Sequence, residues 1–397
     1  MSKKVLVLAA TSQQIETIAT AKRLGYQVLT VDNRPDNPGH RLSDRNYNTD
    51  TTDREAVLAI ARKERIDGII SPCTDVAVPS AAYVALAMGL KGPPLESTFV
   101  ACHKCEFRIF LSRSGLPVPA FIPFAQGFDP GEAIFQDGRW IMKPDESSGS
   151  RGIFIIGSRV EFLERALETL GNSVNKSGIL ERFIDGFQGT CEGFLRDGRM
   201  AFSCILDRRT AAPPYATTAG HAIPTRLKEV LQRKLLELLN QVWRLLGVTD
   251  GPFDCDFVAT EDDIFLLELS PRIGGNSISA LLKTALGFNM VEHSLRYALS
   301  EDIDIPADID MIPAAIVIFG VAEDGVLEFD RAEAEQLSSE PWIREFSLEK
   351  NRGDPVAAFV NSRNRLGQAI LVGADRTEVD ARIEEIKIRL RLQAIHE

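Results

Sequence analysis

At 397 residues the chain is long for one hydrophobic core, and ordinary domain sizes divide it into two or three units. Its 45 basic and 56 acidic residues leave a net charge of −11, which excludes a general electrostatic affinity for nucleic acid or anionic membrane but leaves room for a local basic pocket. No apolar run reaches the length of a membrane span, and Met1-Ser-Lys-Lys leads straight into a strand-like segment rather than a signal peptide, so a cytoplasmic protein is expected.

The strand-like run Val5-Leu-Val-Leu-Ala-Ala10, a helical pattern over residues 15–24 and Gly25-Tyr-Gln-Val-Leu-Thr-Val-Asp32 give strand, helix, strand, the start of a parallel sheet. The turn Ala10-Thr-Ser-Gln-Gln14 has no glycine to admit a pyrophosphate, which disfavours a dinucleotide site. A helix over 54–65, a buried strand over 66–71 and a helix over 78–88 complete a small open α/β unit ending near Pro93-Pro94. Its loop Pro72-Cys-Thr-Asp75 leaves the carboxyl end of a strand, where such sheets bind ligands; a simple turn fits equally.

Ser97 is placed to cap a helix that carries Lys104 and closes at Gly115. The six cysteines are scattered, as expected of reduced thiols, and Cys102-His-Lys-Cys105 lacks the second ligand pair that a zinc site needs. Arg139-Trp-Ile-Met-Lys-Pro144 is a strand ending in Lys143, followed by the Gly/Ser loop Asp145-Glu-Ser-Ser-Gly-Ser-Arg-Gly152 and a returning strand over 153–156. Such a loop can fold backbone N–H groups over phosphates while the lysine supplies a point charge, although no Walker motif is present. Beyond a helix over 159–170 come a strand around Glu181, an antiparallel ribbon over 190–206, and a polar stretch from Asp207 to Gly220-His-Ala-Ile-Pro224 that reads as a lid. Residues 227–246 form the longest amphipathic helix; two helices follow over 278–295, and short strands with a final helix over 378–392 close the chain.

Phe253-Asp-Cys-Asp-Phe257 and Ile264-Phe-Leu-Leu-Glu-Leu-Ser-Pro-Arg272 read as two strands that, paired as a hairpin, bring Asp256 and Glu268 side by side. Two such carboxylates repel unless a cation lies between them, and Mg²⁺ with phosphate oxygens completing its octahedron is the economical occupant. Arg272 then faces charge developing on a transferring phosphoryl group. An ordinary hairpin with solvated charges fits the same letters; the upstream partners decide.

The ordered set of helix lysine, strand lysine, glycine loop, Glu-x-Phe-Ile strand, acidic pair and arginine resembles the ATP-grasp superfamily of carboxylate–amine ligases over roughly residues 1–310, and within it looks closest to the amino-acid, dipeptide-forming ligases. The resemblance implies a fold of α/β and α+β class: an open parallel α/β domain over 1–95, an ATP-grasp domain over 96–310 divided at 184/185, and a C-terminal α+β domain over 311–397. It implies that Lys104, Lys143 and the loop residues Ser147, Ser148, Gly149 and Gly152 hold ATP phosphates. Glu181 and Phe183 would flank the adenine, with Gln188 on the ribose. Asp256, Glu268 and Ser270 would bind Mg²⁺, with Mn²⁺ as a substitute, the serine standing where the family carries asparagine. Arg272 and His221 would be catalytic, and Arg208, Arg209, Gly274, Gly275 and Asn276 would meet the substrate.

The implied reaction phosphorylates a carboxylate and passes the acyl group to an amine, releasing ADP and phosphate, with an amino acid on at least one side. Two other readings stand beside it: carboxylation or formylation through a small acyl-phosphate, and a nucleotide-binding regulatory protein without turnover. The expected partners are small molecules, neither nucleic acid nor membrane. The segment from Ala314 onward is placed either to cover the active site or to build a homodimer.

Overall fold

The computed structural model describes residues 2–211, 216–306 and 309–396. The N-terminal unit runs β1 (Lys4–Leu8), α1 (Ile15–Arg23), β2 (Gln27–Asp32), β3 (Arg45–Asn48), α2 (Arg54–Glu64), β4 (Gly68–Ile70) and α3 (Val78–Met88). All its strand pairs are parallel, in the order β3-β2-β1-β4. The apolar faces of β1 and β2 are buried because helices cover both sides of the sheet. Strand β3, Arg-Asn-Tyr-Asn, lies at the sheet edge without an apolar run and escapes periodicity reading.

Residues 95–113 form two helices, α4 (Leu95–Cys102) and α5 (Lys104–Arg113), because His103 between them is extended at φ −106° and ψ 116°. Ser97 is not a cap: it lies inside α4, where its hydroxyl donates to the Leu246 carbonyl. The break sets Lys104 at the head of α5, pointing the residue into the molecule.

A small antiparallel sheet follows, ordered β5 (Phe121–Phe124), β8 (Gly178–Arg182), β6 (Trp140–Pro144), β7 (Phe154–Ile156), with α6 (Arg159–Gly171) against it. Phe124, Trp140, Met142, Phe154 and Phe162 make its core.

The central sheet has eight antiparallel strands. It contains β9 (Phe187–Arg196), β10 (Arg199–Thr210), β11 (Thr218–Ile223), β12 (Gly251–Ala259) and β13 (Ile264–Ser270), and is extended by β14 (Ala314–Phe319), β16 (Ile343–Leu348) and β18 (Gly367–Val372). Helix α7 (Glu229–Leu246) lays Leu231, Leu235, Leu239 and Trp243 on Phe253, Cys255 and Phe257 of β12. With side chains alternating along a strand, that choice sends Asp254 and Asp256 to the opposite face. Helices α8 (Ile278–Leu286) and α9 (Met290–Ala298) share a core with Val5, Val7 and Ile18 of the N-terminal unit, locking the two together.

The remaining elements, β15 (Gly325–Glu328), α10 (Arg331–Leu337), β17 (Pro355–Val356), α11 (Arg376–Leu390) and β19 (Gln393–Ile395), surround these strands. Because β14 pairs with β11, the C-terminal segment continues the central sheet across the expected boundary at 310/311. Among the described residues no helix is long and apolar enough to cross a membrane.

Candidate functional site

A cleft of about 880 Å³ opens between the small sheet and the central sheet. Ile141, Lys143 and Ile155 line it from one side and Asp256, Val258, Leu267 and Glu268 from the other, with the loop over 147–151 and turns of the N-terminal unit at its ends. The hairpin pairs Asp256 directly with Glu268, as its alternation predicts, and Thr190 of β9 completes the row. Lys104 Nζ lies 3.2 Å from Glu268 Oε1, and Arg208 Nη1 lies 3.3 Å from Asp256 Oδ2. Thr190 donates its hydroxyl proton to Asp256 at 2.5 Å. Desolvation in the cleft opposes ionisation of Glu268, but Lys104, Lys143 and Arg208 outweigh it and hold the carboxyl at about 2.

A second row lies one pleat away, where Glu192, Asp254 and Ser270 face one another across β9, β12 and β13. Arg272 reaches into it, bonding Asp254 Oδ2 and, from the N-terminal unit, Asp75 Oδ1, both at 2.5 Å. These paired carboxylates position the guanidinium and tie the loop after β4 to the central sheet. Burial raises the Asp254 carboxyl to about 6 against the pull of Arg272, and burial with Asp254 beside it raises Glu192 well above the usual range. Asp75 entered the sequence reading only as the end of a candidate ligand loop, and Glu192 was not picked out at all. The signal for Glu192 was a charge inside an apolar alternation.

Glu181 lines the cleft, and its buried side chain is engaged with cations: Lys143 Nζ lies 2.7 Å from one of its oxygens and Arg108 Nε 2.8 Å from the other, which leaves only the backbone of its strand free to meet a base. Arg108, fully buried, also donates to the Leu267 carbonyl at 2.8 Å. This internal triad holds the strand lysine at the cleft wall. Phe183 and Gln188 do line the cleft, and Arg139 stacks over the Phe183 ring at 4.7 Å. Around them Ile141, Ile155, Val258 and Leu267 form an apolar slot of two facing walls.

Several expectations are corrected. Arg209 leaves the site: β10 runs on to Thr210, so period-two alternation points Arg208 into the cleft and turns Arg209 onto α11, where it bonds Asp380 at 2.6 Å. Ser270 and Gly274 lie under the cleft rather than on its wall; the serine is buried, and the Gly274 α-carbon abuts the Glu192 carboxylate so closely that a Cβ would clash. Gly275 and Asn276 do line the cleft, Asn276 N–H donating to Gln13 Oε1 at 3.0 Å. Of the glycine loop, Ser147, Ser148 and Gly149 face the cleft, but Gly152 turns back, its carbonyl accepting from Thr169 at 2.8 Å.

His221 is not on a mobile lid. It sits in β11 between Arg208 of β10 and Ile316 of β14, only 2% exposed, and residues 212–215 of the expected lid lie outside the described residues. Burial, then the Arg208 charge, lower its pKa to about 3, so it is neutral at physiological pH. The folded value lies below the unfolded one near 6.5, so the unfolded chain binds the extra proton and stability falls as pH drops from about 6.5 toward 3. His221→Gln is expected to flatten that slope by as much as about 1.4 kcal/mol per pH unit. Urea midpoints at pH 7, 6 and 5 check it; equal slopes in both proteins would refute it.

A family description named ATP-grasp domain matches residues 138–280. The L-arginine-specific L-amino acid ligase of Bacillus subtilis is 24% identical over 64% of this chain, which spans 62% of that protein. The formate-dependent phosphoribosylglycinamide formyltransferase of Paraburkholderia xenovorans is 24% identical over 98% of this chain and 95% of its own. The L-amino acid ligase crystal structure from Bacillus licheniformis superimposes with a TM-score of 0.82, covering 100% of this chain and 99% of that one at 20% identity, a likeness of fold. The cleft between two sheets, with its lysines and acidic hairpin, thus lies in a chain that carries an ATP-grasp domain over residues 138–280 and shares its overall fold with an L-amino acid ligase.

Proposed function

We propose that the protein is an ATP- and Mg²⁺-dependent ligase that phosphorylates a substrate carboxylate and transfers the acyl group to an amine, with an amino acid on at least one side. The observation that carries this is the register pair Asp256–Glu268, ringed by Lys104, Lys143 and Arg208. In this reading the apolar slot receives the base, and the N–H groups and hydroxyls of Ser147 and Ser148 cover the phosphates. The donor set fits a divalent cation: two carboxylates now satisfied by cationic side chains can be shared with a hard metal, and among the described residues no third acidic or imidazole ligand joins them. Mg²⁺ accepts such a sparse set because phosphate oxygens and water fill its octahedron, and when bound it would neutralise phosphate charge.

Lys104, Lys143 and Arg272 stabilise negative charge on the transferring group, each contact being worth a few kcal/mol, about 3, in the transition state. Phosphorylation turns the carboxylate into a mixed anhydride whose leaving group is phosphate. The amine attacks the carbonyl carbon, the C–O bond to phosphate breaks and an amide forms. His221, buried and neutral, shapes the cleft floor beside Arg208 rather than moving protons at neutral pH.

Full-length similarity to a formate-dependent enzyme supports a second reading, in which formate or bicarbonate is the carboxylate. ADP release with ATP and Mg²⁺, measured against pooled carboxylates with and without pooled amines, separates the two. Release that needs both an amino-acid pool and an amine, with ligated product by mass spectrometry, is expected. Release with formate or bicarbonate alone in place of that pool would install the second reading, and tight ATP binding without release would end both.

A further inference from the structure

Arg34 follows β2, Arg151 belongs to the glycine loop, and Arg363 lies in the short helical turn Ser362–Asn364, yet all three line the same cleft. Loop and turn are joined directly. Ser362 N–H donates to the Gly149 carbonyl at 3.2 Å, and Gly149 holds a φ of +75° that favours glycine, with Ser362 Oγ in close contact. Most other cleft cations have carboxylate partners: Lys104 has Glu268, Lys143 has Glu181, Arg208 has Asp256, Arg272 has Asp75 and Asp254, and Arg365 has Glu349, whereas Arg182, beside Gly138 at the Phe183 end, stands without one among the described residues and apart from the three. Among the described residues, Arg34, Arg151 and Arg363 have none; Arg151 Nε donates to the Ser148 carbonyl at 3.0 Å.

Arg151 and Arg363 each lie within electrostatic reach of Arg34. Burial, then Arg363 and Arg34, lower the Arg151 pKa, and burial with Arg34 lowers that of Arg363. No carboxylate enters, although acidic residues outnumber basic ones by 56 to 45 in the chain. Three convergent guanidiniums without a counter-charge repel, and an arriving anion relieves the repulsion while offering acceptors for planar forks of donors.

We propose that Arg34, Arg151 and Arg363 clamp an anionic group, carboxylate or phosphate, borne by the substrate away from its reacting end, and that this anion holds the glycine loop against the Ser362–Asn364 turn. The proposal deepens the ligase reading and rests on it: the substrate carries a second, anionic end. One contact comes from the N-terminal unit, one from the glycine loop and one from the C-terminal segment, so a single anion would connect all three.

The test is calorimetric titration of the full chain with succinate and, separately, inorganic phosphate, each with and without saturating magnesium and the β,γ-imido analogue of ATP, which occupies all three phosphate positions. Arg34→Gln and Arg363→Gln are expected to weaken the bound probe by about tenfold or more while leaving analogue affinity within about twofold. Both side chains are exposed, so folding is not at risk, and melting curves confirm it. Whichever probe binds identifies the anion. Equal binding by wild type and variants, or no binding of either probe to wild type, overturns the clamp. Parallel loss of analogue affinity overturns it too, assigning the arginines to the nucleotide. Failure of the analogue to bind at all would sink the ligase reading, and the nucleotide-free titrations would still decide the clamp.

Discussion

Glu268→Gln is expected to lower turnover by roughly 10³-fold, about 4 kcal/mol in the barrier, while the protein stays folded. The substitution keeps the shape of the side chain and removes the charge. That charge neutralises Lys104 at 3.2 Å and, with Asp256 as its register partner, forms the anionic pair that a divalent cation would bridge. Its ionisation is secure: the folded carboxyl titrates at about 2, below the ordinary 4.5, because Lys104, Lys143 and Arg208 overcome desolvation. A depressed acid pKa contributes stability that is present above the unfolded value and lost as pH falls toward the folded one, so near neutrality the pair is intact. The side chain is 41% exposed, and solvent screening keeps the structural contribution small. ADP release and thermal melting are measured together at pH 7.5. A variant that retains a tenth or more of the activity would remove Glu268 from the proposed metal site.

What could be read from the letters depended on how far apart the deciding partners lie. Asp256 and Glu268 were legible because both sit in alternating strands separated by one turn, so pairing and facing follow from local rules. The parallel N-terminal sheet was legible for the same reason, its apolar runs alternating with helical periodicity. Arg209 was misplaced because β10 was taken to end before it; one more turn of the pleat would have separated it from Arg208. His221 read as lid because it closes a long polar stretch, and the strand that converts it to core, β14, begins at Ala314, far along the chain. Arg108 was not picked out from the sequence. Its signal was the spacing: with Lys104 four residues earlier and Phe107 and Leu111 beside it, the cation lies on the buried face. No local pattern announces the meeting of Arg34 with Arg363, since proximity there arises only once three units are assembled.

The largest stability effect is expected at Glu181. Arg108 and Lys143 are both buried and both pair with this single carboxylate, so the triad carries a net charge of about +1 in a region of low dielectric. Burial opposes ionisation of Glu181, but the two cations prevail and lower its pKa; burial lowers that of Lys143. Glu181→Gln leaves two buried cations facing a neutral amide, and breaking a buried pair in this way costs about 3–5 kcal/mol. Arg108→Met removes one cation and leaves Lys143 paired with Glu181, a neutral couple. It forfeits the bond to the Leu267 carbonyl, but a methionine of similar length fills the space, so its cost is expected to be about half as large or less. Urea unfolding of the two variants at pH 7 orders them. Were Arg108→Met the more damaging, the triad would owe its stability to packing around the arginine rather than to charge balance. The same geometry has a functional corollary: with Glu181 gone, Lys143 loses the 2.7 Å contact that sets it at the cleft wall, so a surviving variant should bind ATP more weakly even where it remains folded.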